Sequence, residues 1–282
     1  YYSLIIKDYR KSFEFGKKNV SIFESNPKII KEDPLSYIRA VNNLAWSGFR
    51  LKAYEECEAL VIRMNAVLKK NKIKLDVNGS VGAFLLYNIT VTNVAIKKVN
   101  FEKIHLIIDE LEKGFSLYKG KMYISDEILL TYNVAYLYFG MGQYKKSQVW
   151  LHQLLNMGND DLQWDISEAT RILMLLIHIE NDEMDLLSYT SRSVNRFFKR
   201  TGNLNKVELL FFKFVKQLLS TKKDKRDIYK DTLQAFEKIS KKDKEKSQAF
   251  NNIDFASWLE SKIYEKSFAA VVKEKLAFVS GR

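Results

Sequence analysis

The chain has little cysteine, proline, glycine and histidine. Its 282 residues include one Cys, two Pro, 11 Gly and three His. The single cysteine, Cys57, excludes an internal disulfide framework and a multi-cysteine metal site. So few turn-forming residues argue against a many-stranded barrel or sandwich, which needs frequent Gly and Pro in its turns. Long helices joined by short connections are therefore favoured.

Long apolar runs are also scarce. The longest, from Ile172 to Ile179, has eight residues and includes His178. A membrane-spanning helix needs about 20, so we predict no membrane span. The low cysteine content mildly favours a cytoplasmic location. Because the chain starts at Tyr1 inside an amphipathic pattern, we expect a piece of a longer protein.

The bulk composition indicates a folded domain whose net positive charge permits anionic partners. Hydrophobic residues make up 46% of the chain, which excludes a disordered polymer. The net charge of +12 permits anionic partners but does not indicate a fold.

A short motif recurs along the chain: an aromatic residue, two polar residues and a small residue. Its aromatic positions are Tyr9, Tyr54, Phe101 and Tyr144, spaced 45, 47 and 43 residues apart, and 181–187 is a degenerate fifth copy. Apolar residues at three- and four-residue steps flank each motif and predict helix–joint–helix units. Stacking such units would bury the apolar face of each, as in a helical solenoid. The alternative is an ordinary globular all-α domain with accidental periodicity.

Capping residues mark the ends of these helices. The predicted starts are Asp33, Asp126 and Asp182, and the predicted ends are Gly158 and Gly202. The last third continues with helices predicted over 204–219, 228–239 and 255–279.

The best copy of the motif resembles a tetratricopeptide repeat. Val134-Ala135, Tyr138, Gly142-Gln143-Tyr144 and Ser147 match that family's order of apolar, aromatic and small residues, and the copy ending at Cys57 is similar. The resemblance implies an all-α fold in which antiparallel helix pairs stack into a right-handed superhelical solenoid. The chain departs from the family in its repeat length, which exceeds 34 residues, and in lacking the closing Pro. Its helices should therefore be longer than usual.

The resemblance covers about residues 1–200, which we predict to be one block of repeats. Residues 201–282 are predicted to continue the same array as further helical repeats or a cap. The stretch from Asp254 to Ile263 resembles the end of uncharacterised bacterial proteins with such repeats. The sequence leaves open whether the array is one block or two.

No constellation in the sequence carries catalysis. His105, His152 and His178 lack the one-turn spacing of a zinc helix. The stretch Gly140–Gly142 follows a helical pattern and lacks the third glycine of a dinucleotide loop. Cys57 occupies the small packing position of a helix and is interpreted as core. We predict a non-catalytic protein without cofactor or metal.

In tetratricopeptide proteins the first helix of each pair lines a groove that holds a partner peptide or helix. The resemblance implies that the following residues line it here: Arg39, Asn42, Asn43, Trp46, Arg50, Asn93, Lys97, Tyr132, Asn133 and Tyr136. Asn can pair with peptide amides, Arg and Lys can hold carboxylates, and Trp and Tyr can serve as anchors. The plainer interpretation is that the aromatic residues pack between helices. A protein-binding scaffold is the predicted function.

Two other functions stay open. The segment 206–246 has 13 Lys or Arg and seven Asp or Glu, with its densest runs from Lys222 to Arg226 and from Lys241 to Lys246. Such a run could contact the phosphates of a nucleic acid, although the interspersed acids favour a solvated surface. The chain could also be a regulatory module of a longer protein, with its groove sensing a peptide.

Overall fold

The computed structural model describes residues 8–70, 75–98, 104–157, 164–220 and 223–280. Within these ranges the regular structure is helical and there is no strand, so the all-α prediction is confirmed. Phe101, Gly158 and Lys222 lie outside the described residues. The helices are α1 (Tyr9–Ser25), α2 (Pro27–Glu32), α3 (Pro34–Leu51), α4 (Tyr54–Lys70), α5 (Val77–Lys98), α6 (Ile104–Leu117), α7 (Ile124–Gly140), α8 (Tyr144–Asn156), α9 (Trp164–Glu180), α10 (Met184–Thr201), α11 (Lys206–Ser220), α12 (Lys225–Lys238), α13 (Lys241–Glu245), α14 (Gln248–Asn251), α15 (Phe255–Ile263) and α16 (Phe268–Ser280).

The chain divides into two compact units, residues 1–133 and 134–282. The division falls within α7. The predicted border at residue 200 falls in the last turn of α10, inside the second unit, and α10 packs against α11.

One type of joint connects the helices of three pairs, α3–α4, α7–α8 and α9–α10. Each joint turns at a residue in the left-handed conformation: Lys52 (φ 61°), Gly142 (φ 71°) and Asp182 (φ 55°). The next amide donates to a carbonyl five residues earlier, over the following distances: Ala53 to Gly48, 2.9 Å; Gln143 to Tyr138, 2.9 Å; Glu183 to His178, 2.9 Å. This is the Schellman ending of a helix. The second helices then begin at Tyr54, Tyr144 and Met184, so helix–joint–helix units occur at these three predicted positions.

The predicted caps have mixed outcomes. Asp33 caps α3, where its carboxylate accepts from the Ser36 amide at 3.1 Å, and Gly202 ends α10 with φ 73°. Asp126 lies in the first turn of α7. The prediction that Asp182 starts a helix is wrong, because Asp182 is the left-handed residue of the α9–α10 joint.

The small residue of the motif lets the two helices of a pair approach closely. Cys57 Sγ lies 3.5 Å from the Ala45 carbonyl oxygen, and Ser147 Oγ donates to the Ala135 carbonyl oxygen at 2.7 Å. Each of these pairs is 12 residues apart. Cys57 is fully buried, and burial raises the pKa of its thiol to about 12. It is therefore a packing residue and not a thiolate.

Polar bonds link successive first helices in unit 1. Thr90 Oγ1 on α5 lies 2.9 Å from Asn42 Oδ1 on α3. On the other side of α5, Asn133 Nδ2 of α7 donates to Thr92 Oγ1 at 2.9 Å. Residues 90 and 92 are about 200° apart around a helix, so α5 lies between α3 and the start of α7.

Helix α5 has the length and apolar composition of a membrane-spanning helix, with a mean hydropathy of 1.4 over its best window. Half of that window is buried, and α5 packs against α3, α4 and α6. These contacts are those of a core helix in a helical protein.

Unit 2 has an aromatic core. The Phe211 ring centroid lies 5.5 Å from that of Phe255, and the Phe214 centroid lies 6.0 Å from that of Trp258. Trp258 Nε1 donates to Glu180 Oε1 at 2.6 Å, which joins α15 to the end of α9. The helices α11 and α12 occur where the sequence predicted them, whereas the short helices α13 and α14 were not predicted.

Candidate functional site

Four of the predicted groove residues form one exposed stripe along α3. They are Arg39, Asn43, Trp46 and Arg50, all solvent-exposed. Their spacing of four, three and four residues places them on one face of the helix. The opposite face of α3 supplies buried core residues, including Ile38 and Val41. The stripe therefore offers two guanidinium groups, an amide and an indole to solvent.

The arginines at the two ends of the stripe interact with neighbouring aromatic or acidic groups. The Arg50 guanidinium carbon lies 5.0 Å from the centroid of the Trp46 ring and 5.8 Å from that of Tyr9 on α1. Such cation–π contacts hold an arginine close to an aromatic surface. At the other end, hydrogen bonds from Ser36 lower the pKa of Asp33, and the charge of Arg39 contributes to this effect.

Two further predicted residues extend this surface along α5. Asn93 and Lys97 follow Thr90 by three and seven residues, so they share the side of α5 that faces α3. Asn93 is partly buried and Lys97 is exposed.

Neither α3 nor α5 contains an Asp or Glu residue. Their cations include Lys98, which is bound by Glu55 at 2.8 Å and also by Glu58 of α4. Lys98 is thus neutralised by α4, whereas the exposed cations Arg39, Arg50 and Lys97 have no carboxylate on their own helix.

The structure removes four predicted residues from this surface. Asn42 is half-buried and bonds to Thr90. Tyr132, Asn133 and Tyr136 are only 3%, 3% and 6% exposed. Asn133 bonds to Thr92, and the Tyr136 hydroxyl accepts from the Asp254 amide at 3.1 Å. Asn42, Asn133 and Tyr136 thus bond to neighbouring elements, and Tyr132, Asn133 and Tyr136 offer almost no contact surface. For Tyr136 this is the packing between helices that the sequence left open.

Comparison with known proteins identifies no relative. No family model, no curated protein and no solved structure matches the chain. Function is therefore argued from the residues themselves.

Four lysines of the basic segment pair with carboxylates of this chain. The Nζ atoms of Lys206, Lys223 and Lys225 lie 2.7, 2.5 and 2.9 Å from carboxylate oxygens of Asp243, Asp231 and Asp182. Asp243 also receives Lys246, and its hydrogen bonds from Lys206, Ser240 and Lys246 lower its pKa to about 2. This pairing weakens the segment as a phosphate-binding surface.

The three histidines lie on different helices. His105 on α6 and His152 on α8 are exposed, whereas His178 on α9 is buried with Nδ1 2.7 Å from Glu183 Oε2. Within the part of the chain that the structure describes, no group of three or more His, Cys, Asp or Glu side chains could hold a metal ion.

Two buried carboxyl groups were not identified from the sequence. Glu168 on α9 is 1% exposed, and its Oε1 accepts from Asn203 Nδ2 at 2.5 Å. Glu208 on α11 is fully buried and accepts from Ser247 Oγ at 2.5 Å, while its Oε2 has no hydrogen-bond partner among the described residues. Burial raises the pKa of both, that of Glu168 to about 7. The charge of Glu208 raises the pKa of Glu168 further.

Proposed function

We propose that this chain is a non-catalytic protein-binding module and that its partner is an acidic segment of another protein. The observation that carries the proposal is the exposed stripe of Arg39, Asn43, Trp46 and Arg50 on α3. Exposed tryptophan and arginine are the residues that contribute most to protein interfaces. Because α3 and α5 carry no carboxylate, charge complementarity favours an acidic partner.

The stripe also has the geometry of a binding surface for an extended or helical segment. Four residues over three turns span about 16 Å, since a helix rises about 1.5 Å per residue. That length matches three turns of a partner helix or about five residues of an extended peptide. Guanidinium groups bind carboxylates in pairs of hydrogen bonds, and Trp46 is 42% exposed, which leaves ring surface for an apolar contact.

The proposal includes the tetratricopeptide-like architecture. Three identical joints and the bonds that connect α3, α5 and α7 within unit 1 support stacked helix pairs with their first helices side by side. In such a stack the first helices form the inner, concave layer, where the stripe of α3 would face a partner. A cytoplasmic location is part of the same proposal.

The test measures binding of a defined acidic probe. A fluorescein-labelled peptide of 12 residues, alternating Glu with Leu, is titrated with the full chain and followed by fluorescence anisotropy. The double variant Trp46→Ala/Arg50→Ala should weaken binding by about tenfold or more, because it removes an aromatic anchor and a charge-assisted pair. The matched control is Ile62→Ala/Lys69→Ala, which removes one exposed apolar and one exposed basic residue from the outer face of α4.

Equal loss in both double variants would reject the α3 surface, since it would reveal general charge attraction. No saturable binding of the acidic peptide would reject the acidic partner. The nucleic-acid alternative has its own signature. The affinity of the chain for single-stranded RNA would then fall steeply as the salt concentration rises. It would also fall on Lys→Gln substitution at Lys241 and Lys242, both exposed in the basic segment.

A further inference from the structure

A cleft between α9 and α10 in unit 2 is lined by three arginines. Its volume is about 400 Å³, and its lining residues are Arg171, Ser193, Val194, Arg196, Phe197 and Arg200. Small-molecule sites usually occupy about 300–1,000 Å³. Among the described residues that line it, none is acidic.

One aromatic ring positions two of the guanidinium groups. The guanidinium carbon of Arg171 lies 3.9 Å from the centroid of the Phe197 ring, and that of Arg200 lies 5.9 Å from the same centroid. Arg171 Nη1 also donates to Ser167 Oγ at 2.5 Å and to the Ser167 carbonyl oxygen at 3.1 Å. Phe197 is itself 7% exposed, so the ring is a fixed floor. Arginines held in place before a ligand arrives lose less conformational entropy on binding.

The third arginine and a hydroxyl lie on the same face of α10. Ser193, Arg196 and Arg200 follow one another at steps of three and four residues and are exposed. The cleft thus combines three guanidinium groups with a hydroxyl donor. A carboxylate is satisfied by one guanidinium fork, whereas a phosphoryl group has three oxygens that can accept from several donors at once.

We infer that this cleft binds a small organic phosphate, with its phosphoryl group held by Arg171, Arg196 and Arg200. The site is independent of the α3 stripe, which lies in unit 1. None of the described lysines of residues 206–246 lines the cleft. A volume of about 400 Å³ is larger than a bare phosphate ion requires, so the ligand carries an organic part or a second phosphoryl group.

Inorganic pyrophosphate is the probe, measured by isothermal titration calorimetry on the full chain at constant ionic strength set with potassium chloride. Arg196→Gln should weaken binding by about tenfold or more, since hydrogen bonds to charged groups are worth that factor. Arg196 is exposed, so its substitution leaves the fold intact, as circular dichroism would verify. Arg192→Gln is the matched control: it removes the same charge from the same helix, and Arg192 does not line the cleft.

A specific site predicts that Arg192→Gln changes the affinity by less than twofold. Arg196→Lys keeps the charge without the fork, so it should restore only part of the lost affinity. Equal weakening by Arg192→Gln and Arg196→Gln would overturn the inference, because it would show that only the net charge of α10 matters. The absence of saturable pyrophosphate binding at millimolar concentration would overturn it as well. Neither result affects the acidic-peptide test on α3.

Discussion

Replacing Glu168 by Gln should remove a large part of the pH dependence of stability. In the folded chain the pKa of Glu168 is raised to about 7 by burial, against an ordinary value of 4.5. Between these two pH values the unfolded chain has released the proton while the folded chain still holds it. Stability therefore falls as pH rises through this window and is level again above pH 7. At about 1.4 kcal/mol per pH unit, the loss is ~3 kcal/mol.

The substitution tests this directly because glutamine has the same shape and does not titrate. Its carbonyl oxygen can still accept the bond that Asn203 gives to Glu168. Any cost of burying the amide group is independent of pH. The change in the free energy of unfolding between low and high pH therefore isolates the contribution of the Glu168 proton. The free energy of unfolding is measured by urea titration at pH 4.5, 6, 7 and 8, followed by circular dichroism. Relative to wild type, Glu168→Gln should gain ~3 kcal/mol between pH 4.5 and pH 8.

The control is Glu237→Gln, which changes an exposed glutamate on α12. It should reproduce the wild-type pH dependence. Glu208 also has a raised pKa, so some decline with pH should persist in Glu168→Gln. Identical pH profiles for wild type and Glu168→Gln would refute the reasoning, since Glu168 would then be ionised or hydrated in the folded chain.

Two further substitutions test the packing and the joints. Gly114→Ala should lower the free energy of unfolding by ~3 kcal/mol in urea titrations, because the added Cβ would lie 2.0 Å from the Phe84 ring. The paired change Gly82→Ala should instead raise it by ~0.5 kcal/mol, because that Cβ would meet only Leu35 at 3.6 Å. Similar effects at both glycines would contradict the helix spacing. Lys52→Gly should raise stability by ~1 kcal/mol, as it relieves a left-handed backbone at φ 61°; an unchanged or lower thermal midpoint would show that Lys52 is not strained.

The helix–joint–helix units were predictable because their signal is local. An aromatic residue, two polar residues and a small residue mark the start of α4 and α8, since only a small side chain fits where Cys57 and Ser147 meet the preceding helix. The left-handed residue was harder to place. Glycine signals it at Gly142, whereas Asp182 is equally typical of a helix start, and that ambiguity produced the wrong cap.

The structure exposes only some of the predicted groove residues, and the sequence could not show which ones because side-chain type does not reveal which neighbour a residue meets. The sequence does not distinguish Asn42 and Asn133 from the exposed Asn43. Their partners Thr90 and Thr92 lie more than 40 residues away along the chain. Glu168 illustrates the same limit, since a glutamate near a helix start is normally solvated. The arginines of α10 left only a partial signal: Arg192, Arg196 and Arg200 recur every four residues, yet only Arg196 and Arg200 line the cleft.

The two threonines of α5 match asparagines on its neighbours α3 and α7, which restricts the helices that can pack beside α5. The Thr90 and Thr92 hydroxyls lie 2.8 and 2.6 Å from carbonyl oxygens of their own helix, and each also contacts an asparagine of an adjoining helix. A second copy of α5 set beside the first would bring threonine against threonine without an amide between them. Lengthening this protein by duplicating one hairpin should therefore lose the amide–hydroxyl contacts at the new junction. An engineered extension would need neighbouring helices that present asparagine and threonine to each other in alternation.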